Sequence, residues 1–153
     1  LTAEGRLAVS ASKDRTLKVW NLESCKLIRT LEGHARAVNA VALTADGRLA
    51  VSASYDETLK VWDLESCKLI RTLEGHAARV SAVALIADGR RAVSASDDQT
   101  LKVWDIENGS EICSFTGDSS ITSCAVSPDG LTIVAGEASG RVHFLRLEGV
   151  PDS

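Results

Sequence analysis

The stretch "LKVWNLESCKLIRTLEGHA" occupies Leu17–Ala35, and "LKVWDLESCKLIRTLEGHA" occupies Leu59–Ala77, 42 residues later. One residue separates them, Asn21 against Asp63. Self-similarity at such a period marks an array of one supersecondary unit, repeated because a single unit cannot bury its apolar faces alone. Aligning Gly5–Asp46 with Gly47–Asp88 leaves seven differences in 42 positions: 13/55, 15/57, 21/63, 36/78, 37/79, 39/81 and 44/86. A third copy starts at Gly89, holds through Trp104 and Asp105, then drifts in "IENGSEICSFTGDSS". The fourth is the weakest and one residue shorter, Gly130 lying 41 residues after Gly89.

Each copy contains four short runs of strand character. In one they are "VNAVALT" (38–44), "RLAVSAS" (48–54), "TLKVWDL" (58–64) and "KLIRTLE" (68–74). β-Branched residues, Leu and Trp dominate them, and "GHA", "ADG", "YDE" and "ESC" punctuate them as turns. No segment keeps a 3.6-residue apolar period long enough for a helix. Four antiparallel strands in about 42 residues describe one propeller blade. The expected fold class is therefore all-β, a partial propeller of about three and a half blades spanning 1–153. Its blade units are 5–32 without a first strand, 33–74, 75–116, and 117–148 without a last strand.

The residues also carry a family resemblance. "GH" at Gly33–His34 and Gly75–His76, followed by "SYDETLKVWD" ending at Asp63 and "SDDQTLKVWD" ending at Asp105, resembles the WD-repeat propeller signature along nearly the whole chain. The near-identity of the copies is similar to repeat-rich bacterial WD proteins, in which such arrays often follow a signalling module. The resemblance implies a hydrogen-bonded set within each blade: His34, Ser54, Asp56 and Trp62 in one, His76, Ser96, Asp98 and Trp104 in the next. The first repeat supplies Ser12, Asp14 and Trp20. In the fourth, Asp118, Ser139, Leu145 and Arg146 replace the pattern, so that blade is expected to rely on apolar packing of Ile133, Val142, Phe144 and Leu145.

Composition bounds the function. The chain is 44% hydrophobic and 25% charged, a folding composition, with net charge −4. That acidity argues against a nucleic-acid partner, which calls for a basic field. No apolar run reaches the length that spans a bilayer, and the N-terminus lacks a signal-peptide pattern. Cys25 and Cys67 hold equivalent places one repeat apart, poorly placed for a disulfide, so reduced thiols and a cytoplasmic location are expected. Met is absent, and with the incomplete register at both ends this suggests part of a longer protein.

A Ser–His–Asp trio invites a hydrolase reading. Its duplication in two repeats and the lack of a nucleophile elbow favour a structural set instead. His34, His76 and His143 have no metal-ligand spacing, and no glycine-rich phosphate loop is present, so neither metal nor cofactor is expected. Five of the seven differing positions fall in two loops that open on one propeller face. Lys13, Arg15, Arg36, Tyr55, Glu57, Arg79 and Asp97 are accordingly the candidate partner-binding residues, Tyr and Arg being the usual interface anchors. Neutral drift at exposed sites accounts for the same pattern. Two functions stay open: a non-catalytic protein-interaction scaffold, the sensing or docking part of a larger signalling protein, or an architectural array with no ligand. In either case the ring is expected to close with a second copy or with the rest of a parent protein.

Overall fold

The computed structural model describes residues 5–149, and among these it contains fourteen strands, no helix and no cis peptide bond. Residues 1–4 and 150–153, assigned by the sequence reading to the same unit, lie outside the described residues. Strands β1 (Leu7–Ala11), β2 (Leu17–Asn21) and β3 (Lys26–Leu31) make one three-stranded sheet. Strands β4 (Val38–Leu43), β5 (Leu49–Ser54), β6 (Leu59–Asp63) and β7 (Lys68–Leu73) make a four-stranded sheet, and β8 (Val80–Leu85), β9 (Arg91–Ser96), β10 (Thr100–Asp105) and β11 (Glu111–Thr116) repeat it. The last sheet has β12 (Ile121–Val126), β13 (Thr132–Glu137) and β14 (Val142–Arg146). Every pairing is between consecutive strands and antiparallel. The architecture is all-β, a partial propeller of about three and a half blades.

The core is not one cluster but three, each sandwiched between successive blades. Leu17 and Val19 of the first blade meet Val38, Ala50 and Trp62 of the second. Val51, Leu59 and Val61 meet Val80, Ala92 and Trp104 of the third. Val93, Leu101 and Val103 meet Ile121, Ile133 and Ala135 of the fourth. Strands β5 and β9 are covered on both faces, five of six residues in each being buried, which is why their sequences read as nearly continuous apolar runs.

Bulges tie these blades to the surface pattern. The β6–β7 register passes from Val61↔Arg71 to Trp62↔Leu69, leaving Ile70 unopposed. The same slip leaves Ile28 and Ile112 unopposed in their blades. An extra residue bends its strand; Ile28, Ile70 and Ile112 are exposed by 44, 48 and 42%, and the neighbouring Leu27 and Leu69 on the same outer strands by 46 and 42%. On the inner strands the extra residues are Asn39, Ser81 and Thr122, next to the loops that carry most of the sequence differences.

The fourth blade departs from expectation. Ile133 pairs with Leu145, and both face the third blade. Val134 pairs with Phe144 and Gly136 with Val142, which puts those four on the opposite face because strand side chains alternate. No described blade follows there, so Val142 is 52% and Phe144 75% exposed. Val142 and Phe144 therefore do not hold this blade together. Its inward face is held by Ile133 and Leu145, and by a polar set around Glu137 described below.

Candidate interaction face and its hydrogen-bond scaffold

The scaffold starts with glycine. Gly33 and Gly75 have φ of +156° and +149°, and a Cβ on either would stand 3.1 Å from the tip of the Trp62 or Trp104 indole. The "GH" pair thus lays its backbone against the tryptophan of its own blade and turns the histidine inward. His34 is 6% and His76 7% exposed.

From there the bonds run in one direction. The Trp62 indole N–H donates to Ser52 Oγ (2.8 Å), and the Ser52 hydroxyl donates to His34 Nε2 (2.7 Å). The Nδ1–H of His34 then donates to Asp56 Oδ2 (2.8 Å), which also accepts the Ala35 N–H (2.9 Å). This tautomer is assigned from the acceptor role of the carboxylate. The next blade repeats the chain through Trp104, Ser94, His76, Asp98 and Ala77, at 2.8, 2.7, 2.7 and 3.0 Å. Trp20 donates to Ser10 Oγ (2.9 Å) in the first blade.

Ser54 and Ser96 are therefore not the links, contrary to the set expected from the motif. Trp62 stands opposite Ala50 and its indole reaches two residues along, to Ser52. Ser54 lies two residues, roughly 6.6 Å, further along the strand. There its hydroxyl donates to the Ala37 carbonyl (2.8 Å) and accepts the Asp56 N–H (3.1 Å), and Ser96 does the same with Arg79 and Asp98. In the first repeat the link is likewise Ser10, while Ser12 accepts the Asp14 N–H. The sequence carried no signal that singles out the links: serine at 10, 52 and 94 and serine at 12, 54 and 96 both accompany tryptophan at 20, 62 and 104, and in the fourth blade all three are lost, to Ala135, Glu137 and Leu145.

Electrostatics follow burial. Desolvation pushes His34 and His76 below the usual histidine value, although their aspartates pull the other way. Burial works against the charge on Asp56 and Asp98, but hydrogen bonds from threonine, histidine and backbone N–H groups outweigh it and hold both at about 2. Neutral histidine beside a carboxylate, with a serine hydroxyl on its far nitrogen, has the connectivity of a hydrolase triad. Ser52 and Ser94 are each 0% exposed, however, and each oxygen already accepts an indole N–H. A substrate carbonyl has no route to either.

The fourth blade builds a different polar set, one the sequence reading missed. Glu137, at the Ser54/Ser96 position and 6% exposed, accepts the Asp118 N–H (3.0 Å), the Ser119 and Ser139 hydroxyls (3.1 and 2.8 Å) and the His143 ring (2.8 Å). His143 and Ser139 chiefly hold its carboxyl at about 2. A Cβ at Gly117 would stand 2.3 Å from the Glu137 carboxylate, so the glycine leaves its room.

These sets lock the loops that carry the differing residues. Val38 N–H donates to Ser12 O (3.0 Å), Tyr55 N–H to Ala37 O (2.9 Å) and Asp97 N–H to Arg79 O (3.1 Å), so the loop opening each blade is stitched to the β-turn of its own blade or the one before. Arg79 reaches between Tyr55 and Asp97: its Nε pairs with the Asp97 carboxylate, its Nη1 donates to the Tyr55 hydroxyl (2.7 Å), and its guanidinium carbon lies 5.0 Å from the Tyr55 ring centre. Lys13, Arg36, Ala37 and Tyr55 line a neighbouring groove of about 350 Å³. Arg15 and Glu57 are exposed but line no part of it; both sit in left-handed backbone, φ +73° and +70°. Among the described residues no group of three ligating side chains could hold a metal ion, and there is no helix long and apolar enough to cross a membrane.

A sequence profile of the WD domain, G-beta repeat family matches residues 1–21, 25–63, 67–105 and 109–144. The chain belongs to the WD-repeat family. Within it, a 35-residue stretch is 63% identical to small ribosomal subunit protein RACK1y of Oryza sativa subsp. japonica, covering 23% of this chain and 10% of that protein. This WD-repeat chain thus matches only about a tenth of that relative's length. A WD-repeat domain is a protein-interaction scaffold in kind, and in this one the buried Trp–Ser–His–Asp chains tie the loops of two blades to their sheets.

Proposed function

We propose that this WD-repeat chain is a docking unit for a protein partner, within a larger signalling protein, and that the partner binds the face carrying Lys13, Arg36, Tyr55, Arg79 and Asp97. The observation that carries this is the placement of the differing residues. Of the seven positions at which the two nearly identical copies differ, five lie on one loop-rich face, and there Tyr55 and Arg79 are already held in place by each other and by Asp97. Anchors fixed before binding lose little side-chain entropy on docking. The relative RACK1y is by its name a ribosomal-subunit protein, a component of a macromolecular assembly, in keeping with a scaffold role. The test compares the chain with its Y55A/R79A variant in affinity capture followed by mass spectrometry. A partner retained by the wild type and lost from the variant is expected; equal retention by both overturns the reading.

A second reading rests on the open blade faces. Val134, Gly136, Val142 and Phe144 occupy the places of Val93, Ala95, Leu101 and Val103, which in the third blade are buried against the fourth. A second copy of the chain, or further blades of a parent protein, would cover them in the same manner.

A further inference from the structure

The two junctions between the first three blades are built from the same positions with different residues, and one serves as a template for the other. At the second junction the order is Tyr55, Arg79, Asp97: the guanidinium fills the space between the two loops and finds a hydroxyl, a ring face and a carboxylate. At the first junction the equivalent order is Lys13, Ala37, Tyr55. Alanine leaves open the space that Arg79 fills, and the groove of about 350 Å³ lies there, with Arg36 on its rim. The cation that fills the second junction is missing; Tyr55 stands where that junction has its carboxylate, and Lys13 stands where it has its tyrosine.

Charge around the groove is not balanced locally. Among the described residues, neither the Lys13 nor the Arg36 side chain has a hydrogen bond or ion pair. The carboxylates that directly adjoin Lys13 and Tyr55 in sequence are committed elsewhere. Asp14 accepts from Thr16 and from Lys18 (3.3 Å), and Asp56 accepts from His34, Ala35 and Thr58. Both are held low in pKa, Asp14 chiefly by Thr16 and Asp56 by its donors against burial. The ring of Tyr55 forms the opposite wall.

We propose that this groove takes an acidic side chain, Asp or Glu, from an extended peptide, its carboxylate between Lys13 and Arg36 and its stem against Tyr55. The occupant would be the charge-reversed counterpart of Arg79: a carboxylate entering from outside where the next junction supplies a guanidinium from within. The chain's net charge of −4 makes the cationic groove a local exception and gives no long-range attraction for a polyphosphate backbone. This inference rests on the docking face proposed above and names the chemistry that one part of it selects.

Fluorescence anisotropy with a fluorescein-labelled Glu/Gly peptide tests it, with a Lys/Gly peptide of the same length as control. The wild-type chain is expected to bind the acidic peptide only, and to weaken as salt rises and screens the exposed cations. K13E/R36E is expected to weaken binding by about tenfold or more. K13D/A37R, which places a guanidinium between a carboxylate and the Tyr55 hydroxyl, the groups that Arg79 meets at the second junction, is expected to close the groove and abolish binding while melting at or above the wild-type temperature. Because the substituted side chains are exposed or half-buried, circular dichroism should show both variants folded. Absence of acidic-peptide binding, binding unchanged in both variants, or stronger binding of a single-stranded oligonucleotide at the same site would each overturn the proposal. If a partner captured through Tyr55 and Arg79 is still retained by K13E/R36E, and that variant binds acidic peptide as wild type does, only this inference falls. If Y55A/R79A retains every partner that the wild type captures, the docking reading falls instead.

Discussion

A single serine oxygen decides how each blade is tied together. Ser52 accepts from Trp62 and donates to His34, so Ser52→Ala strands one buried indole N–H and one buried ring nitrogen. Unmade buried hydrogen bonds of this kind cost about 1–3 kcal/mol each, and a loss of that order in the denaturant-unfolding free energy is expected. Ser54→Ala removes a loop bond nearer the surface and should cost less; equal losses for the two would contradict the assignment of Ser52 as the link. The same chain sets a pH response. His34 and His76 titrate below 6.5 in the folded state, so between that lowered value and 6.5 the unfolded chain binds more protons, and stability falls as pH drops below about 6.5. A second fall follows under stronger acid, as Asp56, Asp98 and Glu137, held at about 2 when folded, are protonated more readily in the unfolded chain. Midpoints of urea unfolding between neutral and acid pH read both stages; a midpoint that rises from pH 7 to pH 5.5 would contradict the first.

At the scale of the element, the tight β1–β2, β5–β6 and β9–β10 turns each place one residue in left-handed backbone: Arg15, Glu57 and Gln99, with φ of 73, 70 and 70°. The fourth blade uses Gly140 at the corresponding place, φ +89°. Left-handed backbone costs a side-chain-bearing residue about 1–2 kcal/mol, part of which glycine returns through its greater freedom when unfolded. Glu57→Gly should therefore stabilise by about 0.5–1 kcal/mol, seen as a higher melting temperature. A lower one would mean that the Glu57 side chain makes a stabilising interaction. That side chains were kept at three strained positions on the candidate docking face, when the fourth blade uses glycine, accords with use of those side chains in binding.

For the whole molecule the decisive feature is the exposed apolar face of the last described blade. Between described blades the apolar faces are buried, with Leu101 and Val103 at 2% exposure, whereas Phe144 at the equivalent place is 75% exposed. An apolar sheet face left in water favours association, and the near-identity of the blades makes a second copy a fitting cover, since a closed two-fold ring satisfies both copies. Light scattering on the purified 153-residue chain is expected to give more than the monomer mass at micromolar concentration, and Phe144→Glu to shift it toward monomer. A wild-type monomer that melts cooperatively would refute the assembly reading.

How much of this was legible beforehand depends on whether an argument needed only spacing or also needed register. The 42-residue period, the four strand runs per repeat and the turn residues determined the all-β blade architecture, because alternation and turn chemistry act over a few neighbouring residues. Comparing near-identical copies also determined which loop positions vary. Only the tertiary structure decided which serine joins tryptophan to histidine, since Ser52 and Ser54 share one face of β5 and differ only in their reach to a side chain on the next strand. The role of Glu137 was hidden for a related reason. Its four donors come from two segments nearly twenty residues apart, and a buried carboxylate is affordable only once they converge. The exposure of Val142 and Phe144 was decided by which face of β14 the Ile133↔Leu145 pairing turns toward the third blade. The groove between Lys13 and Tyr55 exists because two loops of different blades are brought together, and a substitution of alanine for arginine becomes an empty site only when the walls on both sides are in place.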